Sequence, residues 1–332
     1  MRVLAGDLGG TKTLLCIADV NNDGTRIVRQ QRLENAKFRS FDEVLKVFLA
    51  EERGENLSGV CLGIAGPVRD TPHGQYVKVT NLPWEVDSAA LERAFGFKRI
   101  SLVNDFVAIG HAIETLEEKQ FVALNRGTPD LNGPRGVIGA GTGLGQAILI
   151  KRDGYYDVIA TEGSKADFGP TNELQLDLAR YLIQRHGRGS YELILSGAGL
   201  VRLYEFLRER GEARESPDVA EAMKRGDPAA VVTQAGTEGK DPLASAALDL
   251  FVSIYGAQTG NLALTIGATG GMYVAGGIAP KLIERLKDGQ FMRAFSNRAK
   301  MSDYVNAIPV WVVMNPEIGL LGAVAVAARP SA

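Results

Sequence analysis

The sequence predicts a two-domain α/β protein in which one arrangement of strands occurs twice. Its 332 residues correspond to two domains at about 150 residues each. Apolar, strand-like runs alternate with segments of helical periodicity along the chain. Two three-strand meanders, one at the start and one beginning at Gly136, each have a glycine turn between their first two strands. We interpret the second meander as a structural repeat of the first.

The composition excludes several classes of protein. Hydrophobic residues make up 45% and charged residues 23% of the chain, which is typical of packed domains rather than disorder. The formal net charge is −2 and no basic stripe occurs, so we expect no nucleic-acid partner. The 39 glycines exceed the usual share of about 7% and indicate many turns or close backbone approaches.

The cysteines and the chain ends indicate a cytoplasmic protein without a membrane partner. Cys16 and Cys61 both lie in apolar runs, which predicts buried thiols and excludes a disulfide framework. The first residues lack the apolar stretch of a signal peptide. The apolar and glycine run 319–328 is too short to span a bilayer.

The first half begins with the meander and continues with alternating helices and strands. The glycine pair Gly9-Gly10 and the turn signal Asn22-Asp23-Gly24 separate the meander strands, which are RVLAGD, TKTLLCIADV and TRIVRQQRL. A helix begins after Ser40, where Glu43 completes a capping box. The segments that follow are the strand SGVCLGIAG, the helix DSAALERAFG, the strand RISLVND and the helix FVAIGHAIETL.

The second half repeats the meander over 136–160, with a turn at Asp153-Gly154. Helices are predicted over TNELQLDLARYLIQRHG, YELILSGAGLVRLYEFLRERG and 242–266, strands over GMYVAGGIA and AIPVWVVMN, and a closing helix over PEIGLLGAVAVAA. The polar stretches 211–218 and 236–241 are predicted to be surface loops. The three histidines, His73, His111 and His186, are predicted to be surface or packing residues.

Residues 7–12, which we call the first glycine loop, have the composition of an anion-binding turn. Gly9 and Gly10 let backbone N–H groups approach an anion, and Thr11 and Lys12 add a hydroxyl and a cation. Asp7 is suited to hold Mg²⁺ through water. Alone, the segment favours a plain hairpin with a turn-capping Asp, because such short motifs often match by chance.

Residues 139–145, which we call the second glycine loop, favour nucleotide binding over a plain hairpin. Gly141, Thr142 and Gly143 lie between two strands, as Gly9 and Gly10 do. Each loop opens one of two similar halves, and this arrangement predicts that the phosphates of a nucleotide are held from both sides. The chain has no G-x-x-x-x-G-K-[ST], G-x-G-x-x-G, H-E-x-x-H or G-x-S-x-G motif, which argues against the corresponding enzyme classes.

Six segments of this chain resemble the bacterial glucokinase family, within the ATPase superfamily of sugar kinases, actin and heat-shock chaperones. They are DLGGTKT, LVNDF, GAGTGLG, EGSKADFGP, ELILSGAGL and VAGGI, and they follow the family's order over nearly the whole chain. The related repressor and open-reading-frame sugar kinases carry a cysteine-and-histidine zinc site. Since this chain has only two isolated cysteines, it resembles the zinc-free group.

The resemblance implies two ribonuclease-H-like domains of the actin-like ATPase type with an interdomain cleft. The small domain comprises 1–111 and 313–332, and the large domain comprises 112–312. The domains are expected to close on the sugar, because water would compete as phosphoryl acceptor. The family also implies a homodimer.

The resemblance carries roles onto matching residues of this sequence. The glycine loops match the superfamily's phosphate loops, and Gly276-Gly277 matches its adenosine-side glycines. Asp105 matches the catalytic base, and the sugar-binding positions match Asn104, Glu162 and Glu192. Without the resemblance, capping of a helix is favoured over catalysis for Asp105, and the two glutamates are ordinary solvated charges.

One residue departs from the family pattern. Many members have Glu-Gly-Gly-His where this chain has Glu162-Gly163-Ser164-Lys165. A lysine only donates hydrogen bonds, whereas a neutral imidazole also accepts them, so the sugar preference is open here. Lys165 is either a sugar contact or a plain surface lysine.

The resulting hypothesis is ATP-dependent, Mg²⁺-requiring phosphorylation of D-glucose at O6, with Asp105 as general base. The alternative substrates are mannose, glucosamine and N-acetylglucosamine. A sugar-sensing regulator is less favoured, because no helix-turn-helix precedes the first strand. An actin-like filament protein is less favoured because of the sugar-side set of Asn104, Asp105, Glu162 and Glu192.

Overall fold

A computed structural model describes residues 1–21, 24–50 and 56–329. The strands are β1 (Arg2–Leu8), β2 (Lys12–Asn21), β3 (Gly24–Glu34), β4 (Gly59–Ile64), β5 (Val68–Thr71), β6 (Gly74–Lys78), β7 (Glu85–Asp87), β8 (Ile100–Asn104), β9 (Phe121–Asn125), β10 (Arg135–Ala140), β11 (Leu144–Arg152), β12 (Tyr155–Thr161), β13 (Gly271–Ala275) and β14 (Val310–Val313). The α-helices are α1 (Phe41–Phe48), α2 (Ser88–Phe95), α3 (Asp105–Ala112), α4 (Glu173–His186), α5 (Tyr191–Ile194), α6 (Gly197–Arg210), α7 (Pro217–Arg225), α8 (Pro228–Thr237), α9 (Pro242–Ile266), α10 (Ile283–Lys287), α11 (Gln290–Ser296), α12 (Ser302–Asn306) and α13 (Ile318–Ala327).

The chain divides into two compact units. Unit 1 consists of Met1–Glu117, Tyr156–Ala160 and Asn315–Ala332, and unit 2 consists of Glu118–Tyr155 and Thr161–Met314. The predicted domain limits, 1–111 with 313–332 and 112–312, lie near these boundaries. The assignment of Tyr156–Ala160 to unit 1 had no signal in the sequence.

Unit 1 is built on a five-stranded sheet with the order β3-β2-β1-β4-β8. The meander β1-β2-β3 is antiparallel, whereas β4 runs parallel to both β1 and β8. Alternate residues of β1 and β2 enter two cores: Leu4 and Leu15 lie in one, and Ala5 and Cys16 lie in the other, against α13. A separate three-stranded sheet has the order β5-β6-β7.

Unit 2 repeats the same topology. The sheet that holds its strands has the order β12-β11-β10-β13-β14-β9, in which β10 pairs antiparallel with β11 and parallel with β13. All residues of the edge strand β12 except its two end residues are assigned to unit 1. The first five strands of this order match those of unit 1, with β9 added at the edge beside β14. The predicted internal repeat and the ribonuclease-H-like fold are therefore confirmed. The long helix α9 is buried over most of its length and is central to the core of this unit.

Most of the predicted elements form where the pattern placed them. Ser40 caps α1 by accepting from the Glu43 amide, and the predicted span 242–266 coincides with α9. Asp153 and Gly154 both have positive φ, at 48° and 88°, which confirms the predicted turn. The turn signal at Asn22-Asp23 and the residues 51–52 of the helix predicted after Ser40 lie outside the described residues.

Two predictions are corrected. The single helix predicted over 191–211 is two helices, because Ser196 leaves the helical conformation and caps α6 by accepting from the Gly199 amide at 3.0 Å. The predicted surface loop 236–241 contains the end of α8 and a fully buried Asp241, whose carboxylate caps α9. The sequence analysis did not identify the elements β5, β6, β7, β9, α7, α8, α10, α11 and α12.

The cysteine and histidine predictions agree with the structure. Cys16 and Cys61 are free and buried, and burial raises the pKa of each thiol to about 12. His73 and His186 are exposed, and His111 is half-buried with its pKa lowered to about 4, chiefly by burial. No helix in the described part of the chain has the length and apolar character needed to cross a bilayer.

Candidate active site

The first glycine loop is a tight turn between β1 and β2 that one buried side chain holds in place. Within the turn, the Gly9 amide donates to the Lys12 carbonyl at 3.1 Å. Asn35 donates from Nδ2 to the Gly9 carbonyl at 2.8 Å, and its Oδ1 accepts from the Thr13 hydroxyl at 2.8 Å. Its backbone amide also donates to the Thr11 carbonyl at 3.0 Å. Asn35 thus determines the path of the loop, while the side chains of Thr11 and Lys12 remain exposed.

Asp7 is a carboxylate in an environment that disfavours its charge. Burial raises its pKa from 3.8 to about 6, and the nearby Lys12 opposes that shift only in part. The first turn of α13 packs directly against it, since a Cβ added at Gly319 would lie 3.0 Å from Oδ2 of Asp7. A cation bound next to Asp7 would therefore stabilise the ionised form.

Asn104 and Asp105 lie where β8 ends and α3 begins. The Asn104 side chain caps α3 by accepting from the Phe106 amide at 2.9 Å, and it donates to the Gly66 carbonyl at 3.3 Å. Asp105 is the first residue of α3, and its Oδ1 also accepts from the Phe106 amide, at 3.0 Å. Both side chains are half-buried. The capping interpretation of Asn104 is thus confirmed, and it is compatible with a second role in substrate binding.

The second glycine loop is held mainly by backbone groups and by neighbouring helices. The Gly141 amide donates to the Gly143 carbonyl at 2.8 Å, and the Gly197 amide of α6 donates to the Gly141 carbonyl at 2.9 Å. The buried Tyr255 hydroxyl accepts from the Ala140 amide at 3.1 Å. The loop is thereby fixed to the N-terminus of α6 and to α9.

Gly276 and Gly277 lie next to the start of the second glycine loop. Gly276 has a φ of +82°, and a Cβ there would lie 2.5 Å from the Ala140 carbonyl oxygen. Only glycine fits this position without displacing the end of β10. Nothing lies within 4 Å of a Cβ added at Gly277, so its backbone is open to a ligand.

Glu192 connects the second glycine loop to Lys165. Its Oε2 accepts from the Leu144 amide at 3.3 Å, and its Oε1 forms an ion pair with the Lys165 ammonium. Glu162 is exposed at the end of β12, and its carbonyl accepts from the Lys165 amide at 2.9 Å. Lys165 lies at the surface and its side chain is paired with Glu192, and its role as a sugar contact stays a prediction.

The predicted residues divide between the two units. Unit 1 contains Asp7, Gly9, Gly10, Thr11, Lys12, Asn104 and Asp105, and unit 2 contains Gly141, Thr142, Gly143, Glu162, Lys165, Glu192, Gly276 and Gly277. Sequence reasoning missed Asn35 and Tyr255. Their partners lie far away along the chain, and no local motif signals such contacts. Paired glycines followed by Thr and Lys indicate a functional loop from the sequence alone, whereas a single Asn after a strand indicates no particular role.

A ribonuclease-H-like sheet that occurs twice, with a glycine loop after the first strand of each copy, defines the actin-like ATPase fold. A family model described as Glucokinase matches residues 4–330. The glucokinase of Nostoc punctiforme is 39% identical over 342 residues, covering 98% of this chain and 99% of that protein. The glucokinase of Synechocystis is 38% identical over 350 residues, covering 98% of each. This chain belongs to the glucokinase family.

Solved structures support the same fold. The crystal structure of a glucokinase from an Antarctic psychrotroph superposes with a TM-score of 0.81 at 28% identity, covering 98% of each chain. A ROK family glucokinase from Streptomyces griseus, solved in complex with glucose and AMPPNP, gives a TM-score of 0.66 at 21% identity and covers 99% of this chain and all of that chain. The second similarity shows the shared fold alone.

Proposed function

We propose that this chain transfers the terminal phosphoryl group of ATP to the 6-hydroxyl of D-glucose. The observation that carries the proposal is the pair of glycine loops at equivalent positions of the repeated sheet, in a chain of the glucokinase family. Phosphoryl transfer depends on alignment of the acceptor hydroxyl and on stabilising charge at the phosphate, and backbone amides of such loops supply the second requirement.

Asp105 is the proposed general base. Its carboxylate lies in the first turn of α3, beside Asn104, and accepts hydrogen bonds, as a base that takes the proton of an attacking hydroxyl must. Asn104, Glu162 and Glu192 are proposed to orient the sugar through its other hydroxyls, since amide and carboxylate groups match hydroxyl donors and acceptors. Gly276 and Gly277 are proposed to lie against the adenosine.

Mg²⁺ is the proposed metal, with Asp7 and the nucleotide phosphates as its partners. The burial that raises the pKa of Asp7 to about 6 makes this carboxylate a group that a dication would favour in its charged form. A hard cation that keeps several waters needs few protein ligands, so a single carboxylate fits it. When bound with the nucleotide, Mg²⁺ neutralises charge on the phosphates.

Lys165 is proposed to contribute to sugar preference through Glu192. Because its ammonium pairs with the Glu192 carboxylate, this part of the site carries less negative charge than a lone glutamate would give. A protonated amino sugar is therefore expected to bind less well here than a neutral hexose. Glucosamine is the informative competitor, and N-acetylglucosamine and mannose are the neutral comparisons.

A coupled assay of ADP release tests the proposal. With glucose, mannose, glucosamine and N-acetylglucosamine as acceptors, we expect the highest kcat/KM for glucose. Absence of sugar-dependent ADP release with all four would contradict the proposed activity and favour a sugar-binding regulator. Pelleting of the protein with ATP would indicate a filament-forming relative instead. The homodimer implied by the family resemblance and the cytoplasmic location inferred from the cysteines stay predictions, and sedimentation velocity measures the first.

A further inference from the structure

Two stretches of unit 2 that run side by side, 162–169 and 189–192, carry the sugar-binding positions predicted in this unit. These positions are Glu162, Lys165 and Glu192. The ammonium of Lys165 pairs with the carboxylate of Glu192 between the two stretches. Their backbones are also joined, because the Phe168 amide donates to the Gly189 carbonyl at 3.0 Å. The geometry of the predicted sugar side therefore depends on how these two stretches are held together.

Tyr191, the first residue of α5, connects the two stretches at three points. Its backbone amide donates to the Ala166 carbonyl at 3.2 Å. Its ring packs edge-to-face against the ring of Phe168, with centroids 5.8 Å apart and planes at 84°. Its hydroxyl accepts from the Gly169 amide at 3.3 Å. Tyr191 is 5% exposed, so loss of the hydroxyl would leave this amide without water as a ready substitute.

The hydroxyl of Tyr191 is also held by α9, the long buried helix of unit 2. Nδ2 of Asn261 donates to this hydroxyl at 3.0 Å and to Oε1 of Gln258 at 3.2 Å. Gln258 is itself buried on α9, one turn before Asn261. The hydrogen bond from Asn261 therefore fixes both stretches to a helix in the core of the unit.

Other buried tyrosines of unit 2 hold different parts of the molecule. The hydroxyl of Tyr255 holds the Ala140 amide beside the second glycine loop. The hydroxyl of Tyr204, in α6, donates to Glu215 at 3.3 Å, and Glu215 is none of the predicted site residues. The contacts of Tyr191 are instead to the stretches that carry the predicted sugar-binding residues.

We propose that Tyr191 is a positioning residue for sugar binding, and that its hydroxyl fixes Glu162 and Glu192 relative to each other. The inference rests on the proposed function, because these two glutamates are the residues proposed to orient the sugar. The backbone of Tyr191 leads directly into Glu192, and its hydroxyl holds the end of the stretch that begins at Glu162. Groups whose spacing is fixed before the sugar arrives bind it with a smaller loss of conformational entropy.

Tyr191→Phe tests the inference, because it removes the hydroxyl and keeps the ring against Phe168. We expect the Kd and the KM for glucose to rise about 5–10-fold, the size of effect that loss of one or two hydrogen bonds produces. We expect kcat to stay within about threefold and the affinity for AMP-PNP within about twofold of wild type, because positioning of the sugar acts on sugar binding. Calorimetry measures the two affinities, and the coupled assay measures KM and kcat.

The matched control is Tyr204→Phe, which removes another buried phenol hydroxyl from the same unit. Thermal unfolding reports the stability of both variants. A merely structural role of Tyr191 predicts that the two variants lower Tm and leave the Kd for glucose unchanged. The positioning role predicts that Tyr191→Phe raises this Kd and that Tyr204→Phe leaves it within about twofold of wild type.

Asn261→Ala provides a second variant on the same hydrogen bond. It keeps the hydroxyl of Tyr191 and removes the donor on α9. We expect the Kd for glucose to rise about threefold or more, and the double variant with Tyr191→Phe to be no worse than the weaker-binding single variant, because both remove one connection. If Tyr191→Phe fails to fold, Asn261→Ala decides on the inference by this threefold criterion.

The calorimetric Kd for glucose separates this inference from the proposed function. A rise of about fivefold or more in Tyr191→Phe, with the affinity for AMP-PNP kept, supports the positioning role. A smaller rise, or an equal loss of both affinities, overturns it and leaves Tyr191 with a structural role. If the wild-type protein binds glucose without phosphorylating it, the proposed function fails and the two Kd values still decide on Tyr191. If the wild-type protein does not bind glucose, both proposals are overturned.

Discussion

The two glycine loops hold equivalent positions in the repeated topology, yet they differ in what surrounds them. The first loop is held by the side chain of Asn35 and lies beside Asp7, a buried carboxylate with a raised pKa. The second loop is held by the N-terminus of α6 and by Tyr255, and the one carboxylate that touches it among the described contacts, Glu192, is neutralised by Lys165. Together with the proposed function, we infer from this difference that unit 1 supplies the reactive charge and that unit 2 mainly positions the ligands.

The largest expected effect tests whether unit 1 carries the chemistry. Asp105→Ala removes the proposed general base, so we expect kcat to fall by about three orders of magnitude, while the affinity for AMP-PNP stays near wild type. Single-turnover kinetics and calorimetry measure the two quantities. Asp105→Asn, which keeps the shape and loses the basicity, is expected to be equally slow. Near-normal turnover in either variant would mean that another residue is the base. Unit 1 would then no longer be the unit that supplies the reactive charge.

The second prediction compares the supports of the two loops. Asn35→Ala leaves the Gly9 carbonyl and the buried Thr13 hydroxyl without their partner, which costs about 2–3 kcal/mol of stability. Tyr255→Phe removes the hydroxyl that accepts from the Ala140 amide and donates weakly to the Ile138 carbonyl, which costs about 1–2 kcal/mol. Urea unfolding of both variants provides the values. A larger loss for Tyr255→Phe would reverse the comparison, since the first loop would then depend less on its side-chain support.

The topology and the glycine loops were readable from the sequence because they follow from local rules. Alternation along β1 and β2, turn residues such as Asp153-Gly154, and caps such as Ser40 act within a few residues of the chain. The break at Ser196 was missed because the apolar period continues through it, and only the packed structure shows the new cap. The strands β5 and β6 were missed because their sequence is short and polar, with Pro72 between them.

The site residues could be predicted from the sequence only in part, and the physical reason is different from that for the fold. Asp105, Glu162 and Glu192 were identified by resemblance to a family, since isolated carboxylates carry no local signal of catalysis. Asn35 was missed because it holds a loop that is distant along the chain, and such contacts depend on tertiary structure. The role of Lys165 stays a prediction, although the structure shows a pairing with Glu192 that the sequence did not signal.

The third prediction uses the buried charge of Asp7. Its pKa is raised from 3.8 to about 6, so the folded protein binds this proton more tightly than the unfolded chain does. The stabilising effect of that proton is present below pH 4 and is lost as pH rises through 6. Asp7→Asn removes the penalty, so we expect it to raise the free energy of unfolding of the ligand-free protein by about 2–3 kcal/mol at pH 8 and by little at pH 4.

Asp19 in the same sheet provides a control of opposite sign. Arg2 and Arg26 hold the pKa of Asp19 at about 2, so its charge is favoured in the folded state. Asp19→Asn is therefore expected to lower stability at pH 8, with the difference disappearing as pH falls through 2. Urea unfolding across pH measures both variants. A destabilised Asp7→Asn at pH 8 would mean that the carboxylate has a compensating partner in the ligand-free protein.

The smallest expected effect tests the positioning role of unit 2. In Lys165→Met, Glu192 loses its ion-pair partner, and the carboxylate is free to leave the Leu144 amide. We expect KM for glucose to rise several-fold with little change in kcat, and Lys165→Arg to restore most of the loss, because positioning acts on binding more than on the chemical step. Arg185→Met, which breaks the exposed pair with Glu209, is the control and should leave KM unchanged.

The same assay of Lys165→Met with glucosamine should show a smaller rise in KM or a fall, because this variant no longer carries the ammonium that repels a cationic sugar. An unchanged preference between glucose and glucosamine would mean that Lys165 acts on the orientation of Glu192 and not on the charge that the sugar meets.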